Sequence, residues 1–160
     1  MDHFVSTYTN RIDTKGRVSV PASFRAILAK DECDGVFCYP ALDETAIDAG
    51  GNSLISTIHG LLDNLPPFSD ERDYLSTALF GVSEMLKFDS DGRVILAERL
   101  REHAGIKDQA TFVGMGDKFQ IWAPQRFETR LDEGRKRLRE LKQLLGASHR
   151  SGPNAGGERE

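Results

Sequence analysis

The chain carries an internal duplication of about 50 residues, which restricts it to folds built from two equivalent units. The segment from Asn10 to Arg25, NRIDTKGRVSVPASFR, recurs 76 residues later as LKFDSDGRVILAERLR, from Leu86 to Arg101. Asp13 matches Asp89, Gly16 matches Gly92, Arg17 matches Arg93, Val18 matches Val94 and Arg25 matches Arg101. Phe4 and Phe80 share the same offset, and further along Asp43 and Ile47 face Asp117 and Ile121 at an offset of 74. A shared D-x-x-G-R token within one alignment is hard to obtain by chance.

Each copy has the same local grammar. A β-rich run opens it, residues 4–10 in the first copy and 82–88 in the second. D-x-x-G then predicts a tight hairpin turn, in which glycine supplies a positive φ and aspartate bonds back to the turn backbone. A second short strand follows, from Arg17 or Arg93, and then a short helix. Pro21 suits a first helical position, with Phe24, Ile27 and Leu28 as an apolar face. The second helix starts at Ala97 and is expected to stop at Gly105. Each copy closes with a hairpin, residues 36–39 with 45–47, and residues 111–114 with 119–122, where Met115 to Lys118 reads as the turn.

Between the copies, Leu54, Ile58, Leu61 and Leu62 mark one side of a helix that Pro66 and Pro67 stop, and Ser69 N-caps another. A last helix follows Pro124, with Phe127, Leu131, Leu138, Leu141, Leu144 and Leu145 as its stripe. The residues from Gly146 read as a disordered tail. The expected divisions are 1–50 and 80–123 for the two repeats, 51–79 for a helical linker, 124–145 for the last helix and 146–160 for the tail.

Of the 160 residues, 39% are hydrophobic and 29% charged, enough for a core and against wholesale disorder. No apolar run nears the roughly 20 residues of a membrane span, and the first residues lack a secretory signal, so the chain reads as soluble and intracellular. Net charge is -4, but it is segregated: residues 1–30 carry five basic and two acidic groups, residues 31–100 four and 14, and residues 101–160 twelve and nine. A basic N-terminal face is therefore compatible with an acidic total.

Catalytic and metal motifs are missing from the sequence. His3, His59, His103 and His149 are dispersed, and no nucleophile elbow, H-E-x-x-H or P-loop is present. Gly114 and Gly116 lack the third glycine of a dinucleotide site. Cys33 and Cys38 are not at C-x2-C spacing and read as small core or turn residues. The Asp89 to Gly92 loop has glycine at place 4 and Glu98 at place 10, which does not fit an EF-hand. Phe119 and Trp122 read as core. No enzyme, cofactor or metal is expected.

The paired motifs, the helical insert and the closing stretch from Val113 to Trp122 together resemble the MraZ family over about residues 1–145. The resemblance implies a β-rich α+β fold: a tandem duplication of two SpoVT-AbrB-like swapped-hairpin units with pseudo-twofold symmetry, plus a C-terminal helix. It also implies a cytoplasmic, nucleoid-associated transcriptional regulator. Such proteins assemble into homo-oligomeric rings and bind double-stranded DNA at short direct repeats in the promoter of the division and cell wall gene cluster, typically repressing it. The sequence departs from the pattern at Asp91, where the first copy has Lys15, and at Ala97, where it has Pro21.

The expected DNA-binding residues are Arg11, Lys15, Arg17, Arg25, Lys87 and Arg93, with Asp13, Gly16, Asp89 and Gly92 as structural turn residues. An arginine fork grips a phosphate or a guanine edge through two parallel bonds. The competing reading pairs Asp13 with Arg17 across their own hairpin. The resemblance favours DNA contact for Arg17 and leaves Arg93 open, because Asp91 repels phosphate. Arg25 and Arg101, on the short helices, read as solvated residues, although Arg25 would also reinforce the basic face. The basic run Arg135 to Arg139 reads first as a solvated face, then as a helix-docking surface, then as a nonspecific DNA contact. An alternative of another class is a multimeric interaction scaffold with weak or no DNA binding, suggested by the net acidity and Asp91.

Overall fold

The computed structural model describes residues 2–150, and their side chains as far as Gly146. Up to Pro124 they form one compact unit, and a second unit begins at Gln125. The first unit is α+β with antiparallel strands. Six strands make one sheet in the order β1 (Thr7–Arg11), β7 (Gln109–Gly114), β8 (Phe119–Trp122), β4 (Ile47–Gly50), β3 (Val36–Pro40) and β5 (Glu84–Leu86). Two further strands, β2 (Arg17–Ser19) and β6 (Arg93–Ile95), form a separate ribbon.

The pairings correct one expectation. The segments flanking each D-x-x-G turn do not form a hairpin with each other. Beyond the Ile12–Val18 bridge they part, and β1 runs onto β7 while β2 runs onto β6. The opening strand of the second copy, β5, pairs with β3 of the first. Backbone donors and acceptors freed by the turn are thus satisfied by the other copy. Val18 faces Val94 in the ribbon, and Ile47 faces Ile121 across the centre of the sheet. The closing hairpins form as expected, β3 with β4 and β7 with β8, and the Met115 amide donates to the Lys118 carbonyl at 2.8 Å.

One face of the sheet packs on the ribbon and on two short helices, α1 (Ala22–Lys30) and α4 (Glu98–Ala104). Val18, Val20, Phe24, Leu28, Val94, Leu96 and Leu100 meet Ile47, Phe112, Phe119 and Ile121 there, all buried. Phe24 lies 4.9 Å from Phe119 and 5.3 Å from Phe4, ring centre to ring centre, so edge and tilted contacts hold the N-terminus against α1. Pro21 sits one place before the helix, and its carbonyl accepts from the Phe24 and Arg25 amides. Gly105 stops α4 in the left-handed region, as expected.

The other face of β3 presents Phe37 and Tyr39 to the insert. Helix α2 (Asn52–Leu62) covers them with Leu54, Ile58 and Leu62. Leu61, expected on that side, is 50% exposed instead. The Ser69 hydroxyl accepts from the Arg72 amide and caps α3 (Asp70–Ser76), which continues into a π-helical segment, Thr77–Gly81, with Leu79 buried. Farther along this face Asp48 accepts from Gln120 at 2.8 Å and pairs with Lys118, while Trp122 donates to Gln120, so the polar atoms of this cluster are matched.

The second unit holds α5 (Pro124–Arg150), which runs past the expected end at residue 145. Leu138, Leu141, Leu144 and Leu145 are exposed along it. The remainder of the expected tail lies outside the described residues. Among the described residues no helix is long and apolar enough to cross a membrane.

Candidate nucleic-acid interface

The two D-x-x-G-R loops are folded alike, bond for bond. One oxygen of Asp13 accepts from the Lys15 amide at 2.9 Å and the Arg17 amide at 2.9 Å. Asp89 does the same for Asp91 at 2.8 Å and Arg93 at 2.9 Å. The aspartate carbonyl takes the glycine amide, at 3.0 Å in the first loop and 3.1 Å in the second. Gly16 and Gly92 stand at φ 84° and 75°, where a β-carbon crowds its own carbonyl. These residue types are what the bend requires: a short side chain with two acceptor oxygens to gather the amides, and a glycine to turn the corner.

The second carboxylate oxygen holds the arginine of its own loop. Arg17 Nε lies 2.6 Å from Asp13 Oδ2, and Arg93 Nε lies 2.8 Å from Asp89 Oδ2. The pairing across the turn is therefore made in both copies. It engages Nε and leaves the fork end: among the described residues no acceptor is bonded to either Nη of Arg17. The Arg93 fork is less open, since its Nη2 lies 3.5 Å from Asp91. Both side chains remain about a third exposed, 35% for Arg17 and 32% for Arg93.

The carboxylates are held ionised. Asp13 is pushed down to about 2, first by the Arg17 amide, with desolvation as the next-largest influence opposing it, and then by the Arg17 guanidinium and the Lys15 amide. Asp89 is lowered for the same leading reason, the amide of Arg93. Charge then separates the loops. The first sets the cations Lys15 and Arg17 against one carboxylate, whereas the second sets Arg93 between the carboxylates of Asp89 and Asp91.

Both arginines open the strands of the ribbon. Val18 and Val94 point into the core, and the alternation turns Arg17, Ser19, Arg93 and Ile95 outward. Arg17 stands opposite Ile95 and Arg93 opposite Ser19, so the guanidinium groups occupy diagonal corners. Ile95 is 59% exposed between them. Asn10 Nδ2 donates to the Ser19 carbonyl at 2.8 Å and ties β1 to the ribbon edge. A two-stranded ribbon matches the width of a DNA major groove.

The remaining expected residues are placed differently. Lys15 is exposed at the loop tip, Arg11 is exposed at the end of β1 opposite Gln109, and Lys87 is exposed just beyond β5. Arg25 and Arg101 are not the solvated residues expected: both are half-buried, and each donates from Nε to a strand carbonyl, Val20 at 3.1 Å and Leu96 at 3.0 Å. Ser19 and Ile95 on the ribbon surface were not among the expected contacts, although strand alternation from Val18 and Val94 marks them as outward. Cys33 and Cys38 are buried and unpaired with each other, and burial pushes the Cys38 thiol up to about 12.

A family model described as "MraZ protein, putative antitoxin-like" matches residues 79–143. The chain is similar to a protein named transcriptional regulator MraZ from Xanthobacter autotrophicus, 53% identical over 147 residues, covering 92% of this chain and 94% of the relative. It is 54% identical over 149 residues to the protein of that name from Methylocella silvestris, covering 93% and 91%. It is 47% identical over 136 residues to the one from Rickettsia akari, covering 85% and 91%.

Proposed function

The chain belongs to the MraZ family, and from that premise we propose that it is a sequence-specific DNA-binding transcriptional regulator, acting as a repressor at short direct repeats in the promoter of the division and cell wall gene cluster. The observation that carries the reading is the Arg17 side chain. Its Nε is pinned to Asp13 while its fork end stands free of protein acceptors among the described residues, on the outward corner of a ribbon. A guanidinium held by one nitrogen keeps the parallel donors that a phosphate or a guanine edge accepts. Lys15 adds a mobile point charge beside it. Arg11, Lys87 and Arg93 extend the contact, with Arg93 the weaker because Asp91 shares its fork.

The fold in this proposal is two SpoVT-AbrB-like units, residues 1–50 and 80–123, that exchange their first strands about a pseudo-twofold axis, with residues 51–79 as a helical linker. The facing of Val18 with Val94 and of Ile47 with Ile121 supports it, because residues equivalent by repetition meet at such an axis. One chain offers few cations, so the proposal includes a homo-oligomeric ring, cytoplasmic and nucleoid-associated, that repeats the ribbon along several DNA repeats. Linked weak contacts then act at high effective concentration.

Selection of bound fragments from genomic DNA, followed by gel shift at rising salt, tests the reading. The promoter upstream of its own gene should be enriched, with log affinity falling by about 0.9 per neutralised phosphate for each tenfold rise in salt. Binding no tighter than to random duplexes would favour the scaffold reading instead.

A further inference from the structure

We infer that Arg101 and Arg25 are positioning residues that brace the two loops crosswise, Arg101 of the second copy setting the Lys15–Arg17 loop and Arg25 of the first setting the Arg93 loop. The inference rests on the DNA-binding reading above for its consequence, and on geometry alone for its existence.

The Gly16 carbonyl accepts from the Leu96 amide at 2.9 Å, and the Leu96 carbonyl accepts from Arg101 Nε at 3.0 Å. The guanidinium then returns over Gly16, where a β-carbon would lie 3.7 Å from its Nε and Nη2. The other copy repeats the circuit. The Gly92 carbonyl accepts from the Val20 amide at 3.2 Å, the Val20 carbonyl accepts from Arg25 Nε at 3.1 Å, and a β-carbon on Gly92 would lie 2.7 Å from Arg25 Cζ. Each turn glycine is therefore closed in by a strand end and an arginine of the opposite copy. At Gly92 this adds a second reason besides the positive φ, since a β-carbon would run into the Arg25 guanidinium; at Gly16 the tight neighbour is the Leu96 carbonyl oxygen at 3.1 Å, with Arg101 in ordinary contact.

Only arginine fits this role. Its Nε–H sits partway along the side chain and its planar end covers the turn, whereas lysine places one ammonium at the tip and has no face to lay down. A brace that orders the loop before DNA arrives removes part of the ordering cost of binding. Arg101 thus affects the DNA-contacting loop without reaching DNA, and the arginine of each copy governs the other copy's loop.

Amide hydrogen exchange on the full chain, paired with promoter titrations across salt, separates the possibilities. Arg101→Lys should speed exchange at the Gly16 and Arg17 amides and leave strand Gln109–Gly114 protected, while Arg25→Lys should do so at Gly92 and Arg93. Arg101→Lys, although still cationic, should weaken binding to the promoter duplex about tenfold, as expected for losing a charged hydrogen bond, with an unchanged salt slope. Arg17→Ala should instead make the slope shallower by about 0.9 per site. Wild-type exchange in the lysine variants, lysine rescue of binding, or a shallower slope in Arg101→Ala would overturn the brace. If the exchange pattern holds while the promoter binds no better than random DNA, the brace stands and the DNA-binding reading fails.

Discussion

At the scale of single residues, Asp13 organises more than its charge suggests. It takes two amides and a guanidinium, and its carboxyl titrates at about 2 when folded. The folded value lies below the unfolded one, near 4, so the carboxylate stabilises the fold above about pH 4 and that contribution vanishes as pH falls through about 2. Urea melts at pH 5 and pH 2.5 should show wild type losing stability that Asp13→Asn has already lost, leaving the variant with the smaller pH dependence. The turn glycines give a sharper contrast. Gly92→Ala must strain a φ of 75° and push against Arg25, whereas Gly116→Ala meets only its φ of 91° with no atom within 4 Å. Gly116→Ala should cost about 1–2 kcal/mol, and Gly92→Ala clearly more, read from denaturation midpoints.

At the scale of elements, the ribbon and the aromatic cluster carry the coupling between copies. Val18 and Val94 face one another, and Val18→Ala with Val94→Ala should therefore be non-additive by about 0.5 kcal/mol or more in a double-mutant cycle. Phe24→Ala opens a cavity among Phe4, Tyr8 and Phe119 and should cost about 3–5 kcal/mol. Much at this scale was legible in the sequence. The glycine turns, the Ser69 cap, the Gly105 stop and the two closing hairpins follow from local chemistry that does not depend on partners. Which strand joins which was not legible, because period-two alternation fixes the face a residue takes and not the neighbour across from it. The same blindness hid the arginines. Arg25 and Arg101 were visible as a repeat-equivalent pair, but their partners Gly92 and Gly16 lie in the opposite copy. Leu61 misled because it borders Leu62 on the helix yet falls outside the arc that meets Phe37 and Tyr39.

At the scale of the whole molecule, charge decides more than composition does. The chain is acidic in total and residues 31–100 hold the whole of the excess, both flanking stretches being net basic, so the proposed attraction for phosphate rests on a local field at the first loop. That asymmetry also divides the copies: the first loop is poised to attract an anion, and the second, with Asp91, is not. The candidate site was legible as a motif, while the use of Nε by Asp13 and the freedom of the Arg17 fork required the folded geometry. The claim that most depends on this is that Arg17 leads contact with DNA. Titration of the promoter duplex with wild type, Arg17→Ala and Arg93→Ala, each checked for an unchanged melting transition, tests it directly. The account predicts that Arg17→Ala loses about tenfold or more in affinity, the worth of one bidentate contact, and that Arg93→Ala loses less. Equal affinities for wild type and a folded Arg17→Ala protein would contradict it.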